Sequence, residues 1–241
     1  MAEQMRLDKF FSSQSLASRK ETAKLVRQGR VLVNGVPAKA ADQKITPGCD
    51  RVSLDGEELS FQKHVYLMLH KPAGVVSATQ DSRYPTVLDL VPPELFRRGL
   101  FPAGRLDRDT EGFVLLTDDG EFAHDILSPR RHVPKEYEAV LDAPVGDAEV
   151  EAFAGGMTLE SGEVCKPAGL CVLPQGDGRM VRVTLVEGKY HQIKRMFGAL
   201  GRKVEYLKRT KIGGLPLDEN LPKGSCKALS SREVSAIIKH I

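Results

Sequence analysis

An α+β architecture in two domains is predicted by three features of this 241-residue sequence. Strand-like runs outnumber helical ones in the C-terminal part, several of those runs are joined by hairpin turns, and a polar stretch from Asp55 to Lys63 sets off a small N-terminal segment. The expected boundaries are 1–60 for the first domain and 64–241 for the second. The second should be built on a largely antiparallel mixed sheet with flanking helices. A chain of this length can bury a substantial core.

In the first domain, Leu7, Phe10 and Phe11 share one helical face between Met5 and Ser13. Ser18 and Glu21 have the spacing of a capping box, which opens a second helix that Gly29 stops. Along it Lys20, Lys24 and Arg27 fall on one face, while Leu25 and Val26 can turn inward. Asn34-Gly35, between Val31-Leu32-Val33 and Val36-Pro37, signals a hairpin. The run from Cys49 to Leu54 reads as a last short strand.

The second domain opens on Val65 to Leu69, a buried strand broken by His70-Lys71-Pro72-Ala73-Gly74 and resumed by Val75 to Ser77. A looser, proline-bearing region follows from Thr79 to Pro102. Phe113 to Thr117 is an apolar run bounded by turn residues and too short for a helix, so it is a buried strand. Glu121 to Leu127 should form a short helix, and Lys135 to Leu141 alternates as a strand does. A helix from Asp147 to Phe153 and strands from Ala168 to Leu173 and Met180 to Val186 come next. Gly201 closes a helix from His191 to Leu200, and the strand Val204 to Leu207 leads into the basic run Lys208 to Lys211. Ser230 and Glu233 form a second capping box for the last helix.

The net charge of +3 is small, so nucleic-acid binding would need clustered rather than bulk charge. Cysteines 49, 165, 171 and 226 include no CxxC pair and no zinc-finger spacing, and thus no disulfide framework or metal site. The thiols are expected to be buried and inert. With no apolar signal core and no run of membrane length, a soluble cytoplasmic protein is expected.

The most informative stretch is Gly104-Arg105-Leu106-Asp107-Arg108-Asp109-Thr110-Glu111-Gly112, a charged turn feeding straight into the Phe113–Thr117 strand. A carboxylate at such an entrance sits at the rim of a core, partly desolvated yet reachable, where a catalytic acid can be tuned. Asp107 is the candidate. The same residues mimic a calcium-binding loop, with Asp107, Asp109, Gly112 and a twelfth position at Asp118. Pro102 and Gly104 exclude the entering helix of such a loop, Phe113 to Thr117 is β-prone, and the twelfth ligand is a short Asp. Taken alone, Asp107 could also cap its own turn. Likewise Lys71 could contact phosphate or simply stand in a turn, and Tyr137 could be a core tyrosine.

Gly104-Arg105-Leu106-Asp107, with Thr110, Gly112 and Leu115 to Gly120, resembles the active-site motif of pseudouridine synthases. Lys71-Pro72-Ala73-Gly74 resembles the first motif of that family. Glu187-Gly188-Lys189-Tyr190-His191-Gln192-Ile193-Lys194-Arg195-Met196 resembles the third, and Arg209, Ile212 and Gly213-Gly214 also fit. Arg6-Leu7-Asp8-Lys9-Phe10, Ser18-Arg19, Gly29-Arg30-Val31 and Val33-Asn34-Gly35 are similar to an S4-like RNA-binding domain. Together these features resemble the branch that modifies small-subunit ribosomal RNA.

The resemblance implies conversion of a uridine in folded RNA to pseudouridine, with no cofactor and no metal. It assigns Asp107 the initiating carboxylate, Tyr137 the tyrosine that stacks on the base, and Lys194 the cation that keeps Asp107 ionised. Position 194 holds Lys where relatives often carry Arg, which keeps the charge but loses the bidentate fork. Phe113 replaces a smaller aliphatic residue. Leu207 would wall the pocket, while Arg105, Arg108, Lys71, Arg130 and Arg131 would hold phosphates flanking an extruded uridine. In the first domain Arg19, Lys20, Lys24, Arg27 and Arg30 would meet the RNA backbone. A monomer suffices. The alternatives are a large-subunit RNA enzyme of the same family and a non-catalytic RNA-binding assembly factor.

Overall fold

In the first unit, which runs through Val65 and takes in Phe96–Gly99, local signals decide most of the structure. The structure, a computed structural model, describes residues 4–128, 131 and 133–238. Arg130 lies outside these. The chain enters through β1 (Met5–Arg6), which claims the first two residues of the expected helix, and α1 then spans Leu7–Ser13. At α2 (Arg19–Arg27) the capping box is closed both ways: Ser18 N–H donates to Glu21 Oε2 at 2.8 Å, and Glu21 N–H donates to Ser18 Oγ at 3.3 Å. Strands β2 (Val31–Val33) and β3 (Val36–Pro37) flank Asn34 and Gly35, whose φ values of 53° and 79° fit a two-residue hairpin.

The short β4 (Lys44–Ile45) pairs with β1, and β5 (Val52–Leu54) joins β2. Contrary to expectation, β5 is not the last strand. Asp55-Gly56 turns the chain back into β6 (Glu57–Leu59), giving the order β3-β2-β5-β6. Two glutamates on an edge strand made that segment look like a linker. Leu7, Phe10, Phe11, Val31 and Ile45 are buried together beneath these elements.

In the second unit, β7 (Tyr66–Lys71), β8 (Phe101–Pro102) and β9 (Glu111–Thr117) precede α3 (Gly120–Leu127), which Asp119 caps by accepting from Phe122 N–H. Next come β10 (Lys135–Leu141), α4 (Asp147–Gly155), the small pair β11 (Met157–Thr158) and β12 (Val164–Cys165), then β13 (Gly169–Val172) and β14 (Met180–Leu185). The chain closes with α5 (Gln192–Ala199), β15 (Val204–Ile212), β16 (Leu215–Pro216), β17 (Cys226–Ala228) and α6 (Ser231–Ile238). The main sheet runs β13-β14-β10-β15-β9-β7-β17, with β16 on β15 and β8 on β9. Its one parallel contact among the described residues is β15 with β9. The α+β class with a largely antiparallel mixed sheet holds.

Three expectations change here. Strand β7 does not break at His70 but carries His70 and Lys71 as buried residues opposite Phe113 and Gly112. Val75 to Ser77 is no second strand, because Val76 makes only an isolated bridge to Thr86. The strand expected over Val204 to Leu207 runs on to Ile212, so the basic run Lys208–Lys211 is the second half of β15. In the first and third cases polar side chains hide the continuation of a strand. The thiols also depart from expectation. Cys165 is buried, but Cys49 sits in an exposed turn and Cys171 on the outward face of edge strand β13. Among the described residues, no helix is long and apolar enough to cross a membrane.

Candidate active site

The loop between β8 and β9 is held from beneath by one lysine. Lys71 is 0% exposed, and its Nζ donates to the carbonyls of Thr110 at 2.7 Å, Pro72 at 3.0 Å and Arg108 at 3.2 Å. Three donors meet three acceptors, so the ammonium replaces its water shell with loop carbonyls. Burial pushes Lys71 down to about 8 even though Asp109, Asp107 and Glu111 pull the other way. Lys71 is therefore not an RNA contact, as the sequence suggested, because its charge is consumed inside the protein. Ser77 adds a second clamp: its Oγ accepts from Leu106 N–H at 3.0 Å and donates to Leu106 O at 3.1 Å.

This scaffold presents Asp107 at the rim, with its side chain about a quarter exposed. Lys194 Nζ stands 3.2 Å from Asp107 Oδ2 and 2.7 Å from Asp109 Oδ1, bridging the two carboxylates. Burial opposes the charge on Lys194, but its bond to Asp109 and the field of Asp107 hold the ammonium above its usual pKa. Asp109 is in turn kept below the usual carboxylate range by Lys194, against the upward push of burial. On the other side, His191 Nε2 lies 3.4 Å from Asp107 Oδ1.

His191 is the N-cap of α5 and takes the left-handed conformation, with φ of 49°, a backbone state that non-glycine residues rarely adopt. The turn before it is braced by Gln192, whose Nε2 donates to Glu187 Oε1 at 2.6 Å and whose Oε1 accepts from Lys189 N–H at 3.0 Å. Two short segments thus bring Lys194 and His191 to Asp107.

Asp107 opens onto a pocket of about 740 Å³. Tyr137, Leu207 and Arg209 line it, as do Leu185 and Ile193. Tyr137 is 9% exposed and pairs across the sheet with Arg209, so a residue that alone could be a core tyrosine instead forms a pocket wall. Arg105 and Arg108 line the same pocket with exposed side chains, and the Arg108 guanidinium stacks 4.3 Å from the centre of the Tyr84 ring. Arg131 is exposed but outside this lining, 3.3 Å from Asp125.

In the first unit, Arg19, Lys20, Lys24 and Arg27 all lie exposed on α2. Arg30 does not stand free beside them. Its Nε donates to Asp55 Oδ1 at 2.7 Å and its Nη2 to Asp55 Oδ2, so its planar fork clasps the β5–β6 turn.

Asp109, His191, Ser77 and Lys135 were not assigned to the site from sequence. Asp109 is two residues from Asp107 in the same turn, yet nothing in the spacing says that one cation serves both. Lys135 had a usable signal. It alternates in phase with Tyr137, Ala139 and Leu141, and all four are buried.

Comparison with known proteins places these motifs in company. A family model described as RNA pseudouridylate synthase matches residues 65–199, and the S4 domain model matches residues 5–52. An uncharacterised RNA pseudouridine synthase of Bacillus subtilis (strain 168) is 43% identical over 231 residues, covering 95% of this chain and 97% of its own. The ribosomal small subunit pseudouridine synthase A of Escherichia coli (strain K12) is 42% identical over 236 residues, covering 97% of this chain and all of its own. A crystal structure of a pseudouridylate synthase, 39% identical, superposes with a TM-score of 0.66 over 97% of this chain and 99% of that one.

Proposed function

Because the chain belongs to the RNA pseudouridylate synthase family and carries an S4 domain, we propose that it isomerises one uridine of small-subunit ribosomal RNA, with Asp107 as the initiating carboxylate. The observation that carries this reading is the Asp107–Lys194 pair at 3.2 Å on the rim of a pocket walled by Tyr137 and Leu207. The choice of RNA rests on the E. coli relative, whose name assigns it to the small ribosomal subunit.

The reaction replaces the N1–C1′ bond of the nucleoside with a C5–C1′ bond. One proton leaves C5 and one is gained at N1, so atoms and charge balance without a cofactor. A stacked uridine cannot reach Asp107, so the base must be extruded into the pocket. Tyr137 then packs against its face, while Arg105 and Arg108 at the exposed margin hold flanking phosphates. Residues 1–60 act as the RNA-docking domain through the α2 face of Arg19, Lys20, Lys24 and Arg27, and residues 64–241 act as the catalytic domain. The protein acts as a monomer in the cytoplasm, where ribosomal RNA is processed.

Lys194 should matter through charge. With Lys194→Gln, single-turnover conversion is expected to fall by about 100-fold, while RNA affinity changes by about twofold or less. Lys194→Arg should restore most of the rate. Purified protein incubated with transcripts of each ribosomal RNA tests the substrate assignment. Pseudouridine at one position of the small-subunit transcript or of its assembling particle is expected. Product confined to the large-subunit RNA would move the substrate, and RNA binding without product would favour an assembly factor.

A further inference from the structure

Two cations lie together in the pocket wall with no anion among the described residues paired to either. Lys135 is 8% exposed and Arg209 is 3% exposed, and both line the cavity beside Tyr137. Strand geometry puts them there. Lys135 and Tyr137 alternate on β10, Arg209 pairs opposite Tyr137, and Leu207 alternates with Arg209 on β15.

Among the described residues each cation has one anchoring hydrogen bond, to a backbone carbonyl. Lys135 Nζ donates to Ile126 O at 3.0 Å, and Arg209 Nε donates to Phe113 O at 2.7 Å. Arg209 Nη2 is buried with no hydrogen-bond partner among the described residues. Among the described residues neither side chain forms an ion pair with a carboxylate, and the charge that bears on Lys135 is that of Arg209. Burial, with Arg209 beside it, pushes Lys135 down to about 8. Proteins normally pair a buried charge, because stripping water from it is costly. Two unpaired cations on one wall form a site that becomes complete when negative charge arrives with the substrate.

Backbone phosphates run past the margin, where Arg105 and Arg108 are exposed. What reaches the buried wall beside Tyr137 is the base. When the C1′–N1 bond yields its electron pair to the ring, negative charge spreads over N1, O2 and O4. Building on the function proposed above, we infer that Lys135 and Arg209 form a cradle for the pyrimidine oxygens and stabilise this charge as the bond breaks. The charge is discharged when C5 bonds to C1′, the C5 proton leaves and N1 gains one.

The test uses full-length Lys135→Met and two RNAs, one with uridine and one with 5-fluorouridine at the target position. Fluorine withdraws charge and relieves the ring of its need for the cradle. Cleavage of the C1′–N1 bond is followed in a single turnover. On uridine RNA the variant is expected to lose about 100-fold in rate, with RNA affinity within about twofold of wild type. On 5-fluorouridine RNA the deficit should shrink to about tenfold or less. Lys135→Arg, which keeps the charge, should recover most of the rate.

Equal losses on both RNAs would reduce Lys135 to a cap on the last turn of α3 and overturn the proposal. So would a uridine rate within about threefold of wild type, or a loss confined to affinity, the mark of a phosphate contact. Should Lys135→Met not fold, Lys135→Gln is read by the same ratio of rates. Wild-type protein that converts neither RNA would overturn the underlying function, and this cradle with it.

Discussion

Gly112→Ala is expected to destabilise the second unit by about 3–5 kcal/mol, combining backbone strain with overpacking. Strands β9 and β15 meet in parallel, with Gly112 paired to Arg209 and Glu111 to Lys208. A Cβ on Gly112 would lie 2.2 Å from Arg209 O and 2.7 Å from Arg209 N. Both are backbone atoms, which cannot swing aside as a flexible side chain can. The φ of +106° adds strain for any other residue. The consequence reaches function, because Asp107 lies in the loop entering β9 while Leu207 and Arg209 lie on β15. Equilibrium denaturation should show a lower midpoint with an unchanged slope. A midpoint matching wild type would mean that the two strands can separate without cost, contrary to their close packing.

Asp107→Ala should abolish conversion, lowering the single-turnover rate by about 10⁴-fold or more. The fold should survive the change, with stability altered by about 1 kcal/mol or less, because the side chain is partly exposed and its loss opens no core cavity. Lys194 would not be stranded either, since Asp109 still holds it at 2.7 Å. RNA affinity should stay near wild type, because the exposed Arg105 and Arg108 and the α2 face are untouched. Product formation measured beside an RNA-binding titration separates these effects. A variant that binds RNA and retains the wild-type rate would remove Asp107 from the chemistry.

Features written in local chemistry could be read from sequence alone. The capping box at Ser18 and Glu21, the Asn34-Gly35 hairpin and the apolar run Phe113 to Thr117 each specify their own conformation within a few residues. Where polar side chains are buried, that logic fails. His70 and Lys71 look like the end of a strand, and Lys208 to Lys211 look like a basic run beyond one, because hydrophobic pattern is blind to a charge that finds partners inside the protein. The site divides in the same way. Asp107, Tyr137 and Lys194 could be named from motifs, and the structure brings Lys194 to Asp107 and seats Tyr137 in the adjoining pocket wall.

Long-range pairings were not legible. Lys71 reaches Thr110 across 39 positions, and Lys194 reaches Asp109 across 85. Lysine on the surface and lysine as a buried strut are spelled identically. Arg30 gave the same difficulty, because Asp55, which engages it, lies 25 positions away in an unrecognised turn.

The most direct test of the central claim is carbodiimide-stop primer extension across both ribosomal RNAs, in cells with and without this gene. Loss of one stop from the small-subunit RNA is expected, restored by the wild-type gene and not by Asp107→Ala. A stop lost only from the large-subunit RNA would contradict the substrate, and an unchanged pattern in both RNAs would contradict the claim itself.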